Sequence, residues 1–124
     1  MMSPLNLAYI GDAVYDILVR ERLVCLANRP VNKLHNNAAK IVNAKFQAKA
    51  AVYLMESFTE KEVSVFKRGR NANANHKAKN ASESDYHYAT GLEAVFGYLY
   101  LDGQLDRLKE LFDKIIEFKS STET

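Results

Sequence analysis

Leu5-Asn6-Leu7-Ala8-Tyr9-Ile10-Gly11-Asp12-Ala13-Val14-Tyr15-Asp16 has a helical period and is apolar nearly all the way round, yet it carries two acids. Leu7, Ile10, Val14, Ile17 and Leu18 fall on one stripe. Leu5, Ala8, Tyr9, Asp12 and Asp16 fall on the other, which a water-facing helix would fill with charge. The pattern predicts a helix covered on both sides. An ionised carboxylate in that setting is costly unless it is paired, hydrogen-bonded or bound to a metal, so Asp12 is either a satisfied interior acid or a functional one. Gly11 costs roughly 1 kcal/mol relative to alanine inside a helix. It is best tolerated where another backbone or a ligand must come close.

The same puzzle recurs in Tyr88-Ala89-Thr90-Gly91-Leu92-Glu93-Ala94-Val95-Phe96-Gly97-Tyr98-Leu99-Tyr100. Glu93 has apolar or small neighbours one turn away in both directions, namely Ala89, Thr90, Phe96 and Gly97, so its own helix gives it no easy path to water. Two helices that each embed one carboxylate suggest a shared site, with an ion pair to lysine or arginine as the alternative for each. Oxygen-only ligands would select a hard divalent ion, Mg2+ or Mn2+, over zinc.

Outward from these stretches the helical period continues. The first helix runs from about Leu5 through Leu23, with Ser3 or Asn6 as cap and Pro4 in the first turn, and Asn28-Arg29-Pro30 ends it. A second helical region spans about Asn32 to Phe58, and its phase slips near Lys45, so it divides into two helices or bends there. Its polar positions, Asn36, Asn37, Lys40, Asn43, Lys45, Gln47 and Lys49, read as a solvated face, with RNA contact as the alternative. Thr59-Glu60-Lys61-Glu62 matches a capping box that opens a short helix closing at Gly69. Ser82 or Ser84 caps a helix to about Asp102 that turns Ala89, Leu92, Val95, Phe96 and Leu99 inward, and Gly103 stops it. A final amphipathic helix buries Leu105, Leu108, Leu111, Phe112, Ile115 and Ile116, and residues 120–124 fray. No segment alternates with a strand period and there is no glycine-rich phosphate loop, so the fold class is all-α.

The 124 residues, 48% of them hydrophobic, make one domain, 1–124, with an ordinary core. No apolar run approaches a membrane span and no export signal is visible, which points to the cytoplasm. The single Cys25 is expected to be a small buried residue with no chemical role. The net charge of +2 says little about partners, but its distribution says more. From residue 67 to 79 the chain holds Lys67, Arg68, Arg70, His76, Lys77 and Lys79 with no acid. Alternating asparagine and alanine from Asn71 to Ala81 offers no stripe to bury, which predicts a basic loop over about 67–81 that orders on binding.

Tyr9-Ile10-Gly11-Asp12-Ala13-Val14 resembles the signature helix of the ribonuclease III family, and Gly91-Leu92-Glu93-Ala94-Val95-Phe96-Gly97 resembles its second acidic motif. With Asn32-Lys33-Leu34-His35 and Lys67-Arg68-Gly69-Arg70-Asn71-Ala72 in order between them, the resemblance covers essentially the whole sequence. It is closest to the compact bacterial branch that lacks a double-stranded-RNA-binding domain. The resemblance implies an all-helical homodimer that hydrolyses both strands of duplex RNA with Mg2+, or Mn2+ in its place, leaving 5′-phosphate and 3′-hydroxyl ends. A structured RNA such as a ribosomal RNA precursor is the implied substrate.

Carried over by position, Asp12 and Glu93 match the metal-binding catalytic acids, and Tyr9 matches an aromatic anchor at the dimer interface. Larger members have two further acids, where this sequence has Ala8 and Thr90. Asp16 is placed either behind the metal site or in an ion pair with Arg20. Duplex RNA is recognised through phosphates, 2′-hydroxyls and shape, which suits Lys67, Arg68, Arg70, Asn75, His76, Lys77 and Lys79. His35 and His87 are read as helix-surface or capping residues. The competing reading keeps the fold and loses the catalysis: a dimeric RNA-binding or ribosome-associated module short of two acids.

Overall fold

The computed structural model describes residues 2–26, 31–72 and 81–122. Among them there are six α-helices and no strand. The first, α1, spans Pro4–Leu26, and the Ser3 carbonyl accepts from the Leu7 amide at 3.0 Å, so Ser3 holds the cap position and Pro4 supplies the first turn. The second region divides into α2, Val31–Val42, and α3, Ala44–Leu54. Asn43 is the cause: its side-chain oxygen accepts from the Phe46 amide at 2.8 Å, which starts a new helix at the phase slip. A single 3₁₀ turn, Met55–Ser57, leads to α4, Glu60–Arg70, opened by the expected capping box on Thr59 and Glu62.

The centre of the bundle is α5, Ala81–Leu101, which packs against α1, α3 and α4 and, more lightly, against α6, Leu105–Thr122. A helix enclosed by neighbours has no use for a charged row, which is why Ala89, Leu92, Ala94, Val95, Phe96 and Leu99 are all buried. Glycines let the backbones close in. A Cβ added at Gly91 would stand 2.8 Å from the Phe66 ring and backbone, and one at Gly69 would stand 2.7 Å from Ala94 Cβ. Past the end of α5, Gly103 takes φ +75°; the Gln104 amide donates to the Leu99 carbonyl at 2.9 Å and the Gly103 amide to the Tyr100 carbonyl at 3.1 Å. That is the paired hydrogen bonding of a glycine-closed helix end.

Two bonds tie the periphery to this core. The buried Tyr15 hydroxyl donates to the Ile41 carbonyl at 2.8 Å, joining α1 to α2, and its ring meets Phe96 and Phe112 edge-on. Arg107 on α6 donates to both carboxylate oxygens of Glu62, at 2.8 and 2.9 Å, and to the Ser57 carbonyl. Burial alone would raise the Glu62 carboxyl, but the guanidinium and the Thr59 cap hold it below the usual carboxylate range.

Several expectations change. The buried face of α1 is Leu7, Ala8, Gly11, Val14, Tyr15 and Val19, so Ile17 lies outside the core stripe, 59% exposed. Contact with α5 along Leu7 and Gly11 sets that face. Cys25 is exposed, in the last turn of α1 beside exposed Val24, where the helix overhangs the core. Leu105 is also exposed, because it opens α6 before that helix reaches the bundle. Ser82 and Ser84 lie inside α5, which begins at Ala81. α6 continues to Thr122, where Ser121 and Thr122 hydroxyls donate back to the Phe118 and Lys119 carbonyls. Lys67, Arg68 and Arg70 form the last turn of α4, so the expected basic loop starts in a helix. Asn28 to Pro30, Asn75, His76, Lys77, Lys79 and the His35 side chain lie outside what the structure describes.

Candidate active site

Where α1 crosses α5 the two backbones touch. A Cβ on Gly11 would fall 1.6 Å from the Glu93 carbonyl oxygen, and a Cβ on Gly97 would fall 1.9 Å from the Leu7 carbonyl oxygen. No residue but glycine fits either place, and this close approach brings Asp12, next to Gly11, against Glu93. Asp12 faces solvent and Glu93 is half-buried, so the pair sits at the mouth of the crossing rather than inside it, which corrects the expectation that α1 hides its acid.

The two carboxyls lie within hydrogen-bonding reach of each other. Burial first, then the hydrogen bond and the negative charge of Asp12, push the Glu93 carboxyl up to about 8, while a hydrogen bond from Gln47 on α3 offsets part of the rise. Among the described residues no lysine or arginine forms an ion pair with either acid, as an ordinary structural pair would require; the groups beside the Glu93 carboxyl are Asp12 and Gln47. Asp16 does have one: it accepts from Arg20 Nε at 3.0 Å, one turn away, which settles its role as a surface ion pair.

The positions of the two missing acids are closed. Ala8 is 7% exposed and Thr90 6%, and the Thr90 hydroxyl donates to the Tyr86 carbonyl at 2.9 Å, one turn back in α5. Among the described residues no third histidine, cysteine, aspartate or glutamate joins Asp12 and Glu93. The donor set is thus two carboxylates, all oxygen, open to water on the Asp12 side. It suits Mg2+, which keeps several waters and is held by one or two carboxylates.

The cationic residues of α4 lie on its last turn. Lys67 and Arg68 are exposed. Arg70 is partly buried, its guanidinium 5.9 Å from the centres of both the Phe66 and Tyr88 rings and its Nε donating to Asn71 at 3.1 Å. It is held against the domain by aromatic faces, which fixes where the chain leaves α4. His87 is partly buried, its ring edge-on to Tyr86 at 6.0 Å, and is not brought to the acids. Tyr9 is 82% exposed. Gln47, read from the sequence as part of a solvated face, is instead 3% exposed. Its position two residues after Lys45 and two before Lys49, both exposed, gave no sign of this.

The domain is all-helical among the described residues, with one carboxylate from each of two crossing helices at its candidate site. The description "Ribonuclease III domain" matches residues 5–104, and the chain belongs to the ribonuclease III family, as an endoribonuclease of that type. Within the family its similarity is to the Mini-ribonuclease 3 group. It is 46% identical to the Mini-ribonuclease 3 of Staphylococcus aureus, over 94% of this chain and 88% of that one. With the Mini-ribonuclease 3 of Thermoanaerobacter it shares 42%, over 94% and 82%. The crystal structure of protein FN1578 from Fusobacterium nucleatum superposes with a TM-score of 0.81 at 25% identity, covering 94% of this chain and 93% of that one.

Proposed function

We propose that the chain hydrolyses double-stranded RNA in a Mg2+-dependent reaction, with Mn2+ as a working substitute, and that Asp12 and Glu93 hold the ion. The observation that carries this reading is the close approach of α1 and α5 at Gly11, which sets the two acids side by side at a solvent-facing crossing with no lysine or arginine in an ion pair to either among the described residues. When bound, Mg2+ neutralises charge gathering at the scissile phosphate and makes water more acidic. Asp12, on the open side, faces the RNA, and Glu93, on the wall, fixes the site to α5. The raised Glu93 carboxyl must lose its proton for both to act as ligands. No histidine or cysteine nucleophile is required.

Lys67 and Arg68 contact backbone phosphates, and Asn75, His76, Lys77 and Lys79 extend that contact, with Arg70 anchoring the segment against Phe66 and Tyr88. The substrate proposed from the resemblance to the compact branch is a ribosomal RNA precursor in the cytoplasm. No helix among the described residues is long and apolar enough to cross a membrane. The chain acts as a homodimer. Leu5, Tyr9, Ile17 and Val24 stand exposed along α1, an apolar row that a twofold-related copy of the same helix covers.

Long duplex RNA incubated with the protein and Mg2+, beside Asp12→Asn and Glu93→Gln, tests the assignment. The wild type is expected to cut the duplex and spare single strands, and each variant to lose about 100-fold or more. A wild type that cuts nothing, or a variant that cuts as well, overturns it. Closure of the Ala8 and Thr90 positions favours a second reading, a module that binds duplex RNA without cutting it; retained binding with no Mg2+-dependent product is its signature.

A further inference from the structure

Among the described residues three polar or charged ones are buried: Gln47, Glu62 and Thr90. Glu62 is explained by its bonds to Arg107 and the capping box, and Thr90 by its bond to Tyr86. Gln47 lies on α3 among buried Ala48, Ala50 and Ala51, on a face where any apolar residue of similar size would bury without a desolvation cost. No buried side-chain polar atom among the described residues lacks a partner, and the Gln47 carboxamide, buried where α3 packs on α5, lies within hydrogen-bonding reach of the Glu93 carboxyl.

Resting on the reading of Asp12 and Glu93 as the cation-binding pair, we propose that Gln47 is the positioning residue of this site: its buried carboxamide holds the Glu93 carboxylate toward Asp12 and the cation. The residue type fits the task. A glutamate side chain has several rotatable bonds, and a donor on the neighbouring helix removes that freedom before the ion arrives. The carboxamide donates N–H without bringing a charge, so it orients the Glu93 carboxyl without cancelling the negative charge that a cation draws on. A lysine or arginine in the same place would neutralise it, and a glutamate would repel it. The small residues around Gln47 let α3 approach α5 closely enough for one carboxamide to span the gap.

The test is Mn2+ binding to the full chain, by calorimetric titration, for wild type, Gln47→Met, Gln47→Leu and Glu93→Gln, with helicity and melting temperature checked by circular dichroism. Gln47→Met keeps the volume and removes the donor; Gln47→Leu is the second variant should the first fold poorly. A folded Gln47 variant is expected to bind Mn2+ about 10-fold or more weakly, the usual loss for the partner of a metal ligand. It is also expected to need correspondingly more Mg2+ for half-maximal cleavage, with activity recovered at saturating Mg2+. A merely structural glutamine lowers the melting temperature and leaves the ion affinity within threefold of wild type, and that result overturns the proposal. Glu93→Gln separates the two levels: if it binds Mn2+ like wild type, the acid pair is not the cation site and the role of Gln47 falls with it.

Discussion

Gly11 and Gly97 face each other across the α1–α5 crossing, so close that a Cβ on Gly11 would meet the Gly97 amide at 2.9 Å and a Cβ on Gly97 the Gly11 amide at 3.1 Å. The obstacles beyond them are backbone carbonyls, of Glu93 and Leu7, which cannot rotate aside as a side chain does. Gly11→Ala or Gly97→Ala must therefore separate the helices. Each is expected to cost about 3 kcal/mol, the upper part of the range for overpacked cores, and to weaken cation binding by moving Asp12 off Glu93. Gly103→Ala is the contrast: its φ of +75° strains an alanine, but nothing lies within 4 Å of its Cβ. It is expected to cost about 1 kcal/mol and to leave binding alone. Denaturant melts with Mn2+ titrations distinguish the two kinds of glycine.

The raised Glu93 carboxyl gives the metal-free protein a defined response to pH. A carboxyl whose folded pKa stands above its ordinary value loses stability as pH rises, because the folded state holds a proton that the unfolded chain releases. For Glu93 the window runs from its ordinary value of 4.5 to about 8. In EDTA the melting temperature is expected to fall across that window, by about 2 kcal/mol of stability in total once exposure on the Asp12 side is allowed for. Glu93→Gln is expected to flatten the curve and to melt higher than wild type at pH 8. Mg2+ should reverse the loss in the wild type alone. A wild-type curve parallel to that of the variant in EDTA contradicts the raised Glu93 carboxyl.

Much of this site was legible before any coordinates. Gly11 beside Asp12 signalled close approach, and the approaching group is the Glu93 backbone; an acid in each of two apolar helices pointed to one shared place, and the crossing brings the two acids together. Local chemistry fixed Asn43, the Thr59 capping box and Gly103, since a cap or a positive φ depends on a few adjacent residues. Depth was not legible. Gln47 sits in a polar row of α3 and is buried, Cys25 is apolar and exposed, and Ile17 belongs by period to a core stripe it does not join. In each case burial depends on where a neighbouring helix ends or crosses, which periodicity along one segment does not carry.

Arg107 is expected to matter more than its place on a mostly polar helix suggests. Removing it leaves Glu62, 2% exposed, as a buried carboxylate with only the Thr59 cap. Arg107→Met is expected to cost about 3 kcal/mol, and Glu62→Gln with Arg107→Met distinctly less, since the pair leaves together. The acid side of the pH profile follows the opposite sign from Glu93. A lowered folded pKa contributes stability that is present above the ordinary carboxylate value and lost as pH falls through the folded one. Wild type should lose stability below about pH 4.5, and Glu62→Gln should lose less there; chemical denaturation at pH 3 and pH 6 measures both.

Tyr9 tests the dimer. It is the most exposed large hydrophobic residue among those described, 82% accessible, one turn from Leu5 and two from Ile17 on the same row of α1. Left in water, that row gains nothing for the folded chain; against a second copy each aromatic or aliphatic side chain adds about 1.5–3 kcal/mol of burial. Tyr9→Glu is therefore expected to shift the protein from dimer to monomer in sedimentation equilibrium, with helicity unchanged because Tyr9 touches none of the core. Asp12 stands one turn beyond Tyr9, so separation of the copies should also expose the acid pair further and lower cleavage without abolishing Mn2+ binding. A wild type that sediments as a monomer at tens of micromolar, or a Tyr9→Glu variant that remains a dimer, places the contact elsewhere.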